Sequence, residues 1–502
     1  MPSKEYSKLV EKFQAIFDVA SASGILGWDQ QVNLPEKGNE QRARQLERLA
    51  GIQHHMTVDP ELSDLFALID AKSGDLTSDE LQNVKQLKRG WEISMKLPQE
   101  LVEEMTRESS LAHEIWVKAR AAKDFSLFAP TLEKLIALSK KQAQILAKPG
   151  QSLYDVLIDT NYEQGATEAY YRTILGGVKE NVVGLLKRIV DSGKAVDQSF
   201  LTKQDYSEKV QKRLGTAIVT DLGFDWTMGR LDTAVHPFCS GSFGDVRITT
   251  RYLKNWPTGS LFGIIHEAGH GMYEQGLPES QFGLPLGNAV SMAVHESQSR
   301  FWENIVCRSK PFWRGQWRRL RDFYPSQLAD VNFEQWYAAI NKVEPSLIRV
   351  EADEGTYDLH ILMRFEMEAD LFAGRLSVSD IPKAWNKKVY DYLGIDVKND
   401  GEGCLQDVHW SSALFGYFPS YSLGNIIAGQ LWAAMRRANP KIEQEIEAGN
   451  FKNVLGWLRE NVHQHGQRYL RDELVERATG KPLTADDYVA YLETKFGEIY
   501  NV

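Results

Sequence analysis

Cysteine is nearly missing from this chain: three in 502 residues, Cys239, Cys307 and Cys404. So sparse and odd a set excludes a disulfide framework and points to a reducing compartment. The opening MPSKEYSKLVEKF lacks the apolar core of a signal peptide, so the expected location is the cytosol. A basic excess is missing too. Lys and Arg number 58 against 68 Asp and Glu, for a net charge of −10, and no basic run stands out, which argues against nucleic-acid binding. No internal repeat, low-complexity tract or linker marks a boundary, and residues 1–502 read as one domain. One stretch is short of charge: from Trp410 to Met435, 26 residues pass without Asp, Glu, Lys or Arg. That length could span a bilayer. Its Pro419, Gly416, Gly424, Asn425, Gln430 and several serines mark it instead as a buried segment lining a cleft, so no membrane role is expected.

What is present is ordinary globular material, 43% hydrophobic and 25% charged, long enough for a large core. Residues 1–222 read as helix after helix, for example 4–20, 40–52, 79–95, 99–123 and 129–147, with Pro35, Pro60, Pro98 and Pro149-Gly150 between them. The segment 224–252 is rich in Gly, aromatic and β-branched residues and predicts two or three short strands. Helices resume at 258–275, 286–307, 312–320, 333–342, 357–374, 379–394, 422–437 and 482–497. The fold class is mostly α with a small β-sheet, around a cleft.

The chemistry centres on His266-Glu267-Ala-Gly-His270. On a helix, side chains four apart share a face, so two imidazoles can reach one metal ion. Glu267 is rotated towards the open side, where it can take a proton from water. Pro257, Thr258 and Ser260 offer start signals and Gly276 a stop. Gly263, Gly269 and Gly271 weaken the helix but suit close approach by another backbone or a substrate. A metzincin would need Gly and His where Tyr273 and Gly276 stand. The following helix offers His295 and Glu296, 26 residues after His270 for the latter. Either could be the third ligand; Glu296 would make a gluzincin, with one coordination position left open.

The ordered segments WDQQVNLP (28–35), HPF (236–238), DVRIT (245–249), HEAGH (266–270), HESQS (295–299), IRVEAD (348–353) and GCLQDVHW (403–410) together resemble the signature set of the carboxypeptidase Taq family of metallocarboxypeptidases. The resemblance implies a mostly helical fold with a deep active-site cleft, similar to angiotensin-converting enzyme and the neurolysin-type oligopeptidases. It implies removal of single residues from peptide C-termini with broad preference, and a homodimer. It also implies His266, His270 and Glu296 as metal ligands and Glu267 as catalytic base.

The other motif residues have physical readings. Arg349 could grip a substrate carboxylate bidentately, as the family motif favours, or pair internally with Glu351 or Asp353. Arg247 could pair with Asp245 or hold a strand near the substrate. His409 and Tyr417 lie on the uncharged stretch, where Tyr417 could stabilise an oxyanion as a neutral donor and His409 could bond either the substrate backbone or that oxyanion. The segment GYFPSY looks like the corresponding one of angiotensin-converting enzyme. Tyr421 is a candidate for the terminal carboxylate; for both tyrosines core packing is the alternative. The expected cofactor is one divalent metal per subunit, Zn²⁺ by its ligand set, with Co²⁺ or Mn²⁺ also fitting. The expected partner is a peptide substrate. The expected function is a metallocarboxypeptidase, with an endo-acting oligopeptidase on the same scaffold or a non-catalytic helical binding protein as alternatives.

Overall fold

The computed structural model describes residues 3–502. A long helix α1 (Lys4–Val32) turns at Pro35 and returns as α2 (Asn39–Thr57). The sequence suggested an end near residue 20, at the SASG tetrapeptide. The helix runs on through Gly24 and Gly27 and so brings Trp28, one turn further, into a buried place against Arg230 and Arg247. Ser3 caps the start by accepting from the Tyr6 N–H.

The main core gathers residues from Ala112 to Tyr500, and a smaller one joins Tyr6 and Leu9 of α1 to Leu62, Leu65, Phe66, Ile69 and Val84. Helix α3 (Leu153–Asn161) precedes the sheet, whose strands are β1 (Gly229–Thr233), β2 (Cys239–Ser242) and β3 (Asp245–Thr250). Their spatial order is β1-β3-β2. β1 runs parallel to β3, with Arg230 opposite Arg247, and β2 runs antiparallel, with Cys239 opposite Ile248. The alternation along β3 explains its place: Val246 and Ile248 are buried and face the next helix, while Arg247 points to the other side under the ring of Trp28.

That next helix is α4 (Pro257–Glu274), which carries the HEAGH segment and starts on a proline at its first turn. Leu261, Ile264, Ile265, Ala268 and Met272 form its inner face, and burying each Leu or Ile contributes roughly 1.5–3 kcal/mol. Then come α5 (Met292–Arg300), α6 (Tyr357–Phe372) and α7 (Pro419–Ala438). The α-helix predicted over 286–307 is shorter at both ends. Ser291 caps α5 and a π-helical turn, Phe301–Val306, follows it. Most of α6 and α7 is buried, as expected of helices inside a large core, and the uncharged run from Trp410 forms the entry to and body of α7. Among the described residues no helix is long and apolar enough to cross a membrane.

Candidate active site

Helices α4 and α5 meet with almost no side chain between them. A Cβ on Gly269 would lie 2.6 Å from the Ser299 Cα, so only glycine lets the two backbones approach so closely. On the far side a Cβ on Gly424 of α7 would lie 2.8 Å from Cβ and Cγ of Glu296. Glu296 is thus wedged between α4 and α7 with its carboxylate against the two histidines. Its Oε2 lies 3.6 Å from His266 Nε2 and 3.3 Å from His270 Nε2. All three donor atoms fall within 4.8 Å of one another. Tetrahedral bonds of 2.0–2.1 Å separate neighbouring ligand atoms by about 3.3 Å, so the donor set fits a small divalent ion.

The other side of each ligand is held. His266 Nδ1 meets Glu303 Oε2 at 2.8 Å, and Glu303 comes from the π-helical turn. His270 Nδ1 meets His295 Nδ1 at 2.5 Å, and His295 Nε2 meets Glu274 Oε1 at 2.8 Å. With Nδ1–H donated outward, each imidazole turns a lone pair on Nε2 inward. His295 therefore sits behind His270, away from the shared face of the three donors. Glu296 Oε1 accepts from Arg300 Nε at 2.7 Å, and Ser299 Oγ donates to Oε2 at 3.0 Å. Against the cost of burial, Arg300 holds the Glu296 carboxyl ionised, well below its usual range. Glu267 is buried. Burial raises its carboxyl above the ordinary range.

A second cluster sits where α6 meets the segment before α7. Asp407 accepts from Arg349 Nε at 2.8 Å through Oδ1 and from Arg364 Nε at 2.6 Å through Oδ2. Arg349 Nη1 donates to the Tyr357 hydroxyl at 2.9 Å. The internal pairing considered for Arg349, with Glu351 or Asp353, is not formed; Asp353 instead caps its own turn at Gly355 and Thr356. Nor is the guanidinium a free two-pronged fork: among the described residues only Nη2 is without a partner. Two arginines on one carboxylate leave the cluster with one net positive charge. His409 lies beside it, its Nε2 3.3 Å from the Tyr421 hydroxyl. Burial, offset in part by Asp407 and reinforced by Arg349 and Arg364, lowers His409 to about 3, so its ring is neutral. The rings of Tyr417 and Tyr421 are 5.2 Å apart, and the Arg349 guanidinium lies 5.2 Å from the Tyr421 centroid. Burial first, then the charge of Glu296, raises Tyr417 to about 12, which keeps its hydroxyl a donor. Arg247 is committed elsewhere: Asp245 takes its Nε and Nη2 at 2.8 and 2.9 Å, and its guanidinium stacks on the Trp28 ring, 4.3 Å from the centroid.

The fold thus brings His266, His270, Glu296 and Glu267 together, and His409, Tyr417, Tyr421 and Arg349 together beside Asp407. Arg247 lies apart, under the N-terminal hairpin. Sequence reasoning quoted Asp407 in its motif without giving it a task, and it passed over Glu303 and Glu274. Glu303 falls seven residues after Glu296, two turns along the same face, which is the one signal that could have found it.

A family model described as Carboxypeptidase Taq (M32) metallopeptidase matches residues 8–496. Thermostable carboxypeptidase 1 of Thermus thermophilus is 40% identical over 99% of both chains. Carboxypeptidase 1 of Bacillus subtilis is 37% identical over 99% of this chain and 98% of its own. Among solved structures, the M32 carboxypeptidase from Deinococcus radiodurans superposes with a TM-score of 0.96 at 38% identity, covering 100% of both chains.

Proposed function

This chain belongs to the carboxypeptidase Taq family of metallopeptidases, and from that premise we propose that His266, His270 and Glu296 are its metal ligands and Glu267 its catalytic base. The protein is a metal-dependent carboxypeptidase, which sets aside the endo-acting oligopeptidase and the non-catalytic binding protein. The observation that carries the ligand assignment is the separation of Glu296 Oε2 from the two histidine Nε2 atoms, 3.6 and 3.3 Å. A divalent ion held there supplies Lewis acidity to the scissile carbonyl and to water. His₂Glu suits Zn²⁺, with Co²⁺ or Mn²⁺ admissible on the same donors.

The residues around it divide the remaining work. Glu267 takes the proton of the attacking water on its carboxylate and hands it to the leaving amine. Tyr417 and His409, neutral donors, turn towards the oxyanion that forms on the former carbonyl. Arg349, through Nη2 and the net charge of its cluster, receives the terminal carboxylate of the peptide, with Tyr421 alongside. Arg247 acts at one remove, fixing β3 beside α4. We assign residues 1–502 to one catalytic unit acting on peptides, as a cytoplasmic homodimer.

Metal content measured on purified variants tests the core of this reading. Glu296→Ala should lose most of its metal. Glu267→Gln should keep it and still bind peptide, with turnover lower by several orders of magnitude. Retention of full metal by Glu296→Ala, with loss in His295→Ala, would mean that the ligand is the wrong member of the pair.

A further inference from the structure

Glu368 is fully buried on α6, and among the described residues no lysine or arginine bonds to it. Arg364, one turn earlier, is spent on Asp407 and on the His360 carbonyl. Three donors converge on the Glu368 carboxylate instead. Tyr154 Oη of α3 donates to Oε2 at 2.9 Å, the Gly416 N–H donates to Oε2 at 2.8 Å, and Trp410 Nε1 donates to Oε1 at 2.8 Å. Burial raises this carboxyl to about 7 despite the three hydrogen bonds. An apolar side chain would fill the space without that cost, so packing alone does not account for a carboxylate here.

The Trp410 indole and the Gly416 backbone N–H that it ties belong to the two ends of one short segment. Trp410 directly follows His409, and Gly416 directly precedes Tyr417. Between them the chain takes an irregular path: Ala413 has φ of 55° and Gly416 of 91°. A left-handed alanine costs roughly 1–2 kcal/mol, so this path needs something outside it to hold it. Helix α3 adds a second brace, since Tyr162 at its end sets the edge of its ring against Tyr417, 5.3 Å between centroids.

We propose that Glu368 is a positioning residue for the reaction: by clamping both ends of the 410–416 segment to α6, it fixes His409 and Tyr417 where the oxyanion forms. The proposal rests on the reading of those two as oxyanion donors. Glutamine cannot replace the carboxylate. Whichever way its amide is turned, its NH₂ faces either the Trp410 indole N–H or the Gly416 N–H, and neither can accept a hydrogen bond.

The test is a kinetic cycle of Glu368→Gln, Tyr417→Phe and the double variant, each assayed for metal content, KM and kcat. Glu368→Gln should keep its metal and a KM within about threefold of wild type while kcat falls about 10²-fold, the scale of one lost oxyanion donor. In the Tyr417→Phe background the same change should cost only about tenfold, because of the two donors the clamp positions only His409 is left. Losses that multiply in the double variant, or a wild-type kcat in Glu368→Gln, overturn the clamp while the oxyanion reading stands. A wild-type kcat in Tyr417→Phe removes that reading and the proposal with it. Should Glu368→Gln fail to fold, Trp410→Phe takes its place, since it deletes one donor and keeps the carboxylate. It should lower kcat about tenfold with metal retained, and an unchanged kcat there overturns the proposal.

Discussion

Asp407 holds two arginines on one carboxylate, and its side chain is only 9% exposed. Despite burial, the two guanidinium groups keep it ionised well below the ordinary carboxylate range. Its folded pKa is thus depressed below an unfolded value near 4. The stabilisation it brings is complete above about pH 4 and is withdrawn as the pH falls below that. Asp407→Asn leaves two buried guanidinium groups facing each other without a counter-charge. We predict a loss of about 3–5 kcal/mol by urea unfolding at pH 7 and a flatter decline of stability on the acid side than wild type shows. A variant within 1 kcal/mol of wild type at neutral pH would mean that solvent or another carboxylate already neutralises Arg364. At this scale the sequence was legible where chemistry needs a local pattern. His266, Glu267 and His270 are readable from spacing on one helix, and Glu296 from the family motif. The Arg349–Asp407 pair spans 58 residues, and no periodicity links its members, so the nearer Glu351 and Asp353 seemed the natural partners.

Helix α5 owes its position to two glycines on its neighbours, Gly269 of α4 and Gly424 of α7. Its first turn is held from outside as well: the Ala293 N–H donates to Glu163 Oε1 at 2.6 Å, and Glu163 Oε2 pairs with Arg471 Nη1 at 3.0 Å. An alanine at 424 would gain helix propensity, about 1 kcal/mol. Its methyl, however, would meet Cβ and Cγ of Glu296 at 2.8 Å and the Ala293 carbonyl at 3.2 Å. These are atoms close to the backbone of α5, not the free end of a long side chain, so the helix itself must move. Gly424→Ala should therefore weaken metal binding in a chelator competition by tenfold or more, with a stability loss of about 1–3 kcal/mol from overpacking. Wild-type metal affinity in that variant would show that α5 has slack the contacts do not suggest. The existence and type of most elements could be read from the sequence, as could the small sheet beside the HEAGH helix. Their ends could not. Helix α1 passes through SASG and carries Trp28 onto Arg247 of the sheet, and α5 gives way to a π-helical turn that places Glu303 under His266. Both outcomes depend on tertiary surroundings that a local pattern does not contain.

At the scale of the whole molecule the two groups of side chains around the histidines differ in charge. The α4–α5 side carries Glu267, Glu296, Glu303 and Glu274, with Arg300 paired to Glu296 and Glu303 and Arg308 to Glu303, and stays net acidic. On the α6–α7 side Arg349 and Arg364 share Asp407, one positive charge in excess within that cluster, while Glu368 of α6 is held by three neutral donors of its own. A peptide whose last residue bears a free carboxylate matches that arrangement, with the carboxylate towards the arginines and the last peptide bond towards the histidines. An internal peptide bond brings no anion to the second group and leaves the excess cation buried without a partner, which is costly. Amidating the C-terminus of a good substrate should therefore lower kcat/KM by about 10–100-fold, the worth of a charged hydrogen bond in a buried site. Arg349→Ala should lose that much on the free acid while keeping its metal, so that the acid and amide forms become nearly equal substrates. Arg349→Lys should recover only part. An ammonium restores the charge, but it cannot donate to Asp407 and Tyr357 while still presenting a third N–H in the plane that Nη2 occupies. Mass spectrometry of the shortened peptides reads all of these rates from one incubation. If Arg349→Ala still favours the free acid by the wild-type factor, the terminal carboxylate is held elsewhere. Tyr421, whose ring lies against Arg349, is then the next residue to replace, ahead of Arg247, which Asp245 and Trp28 already occupy.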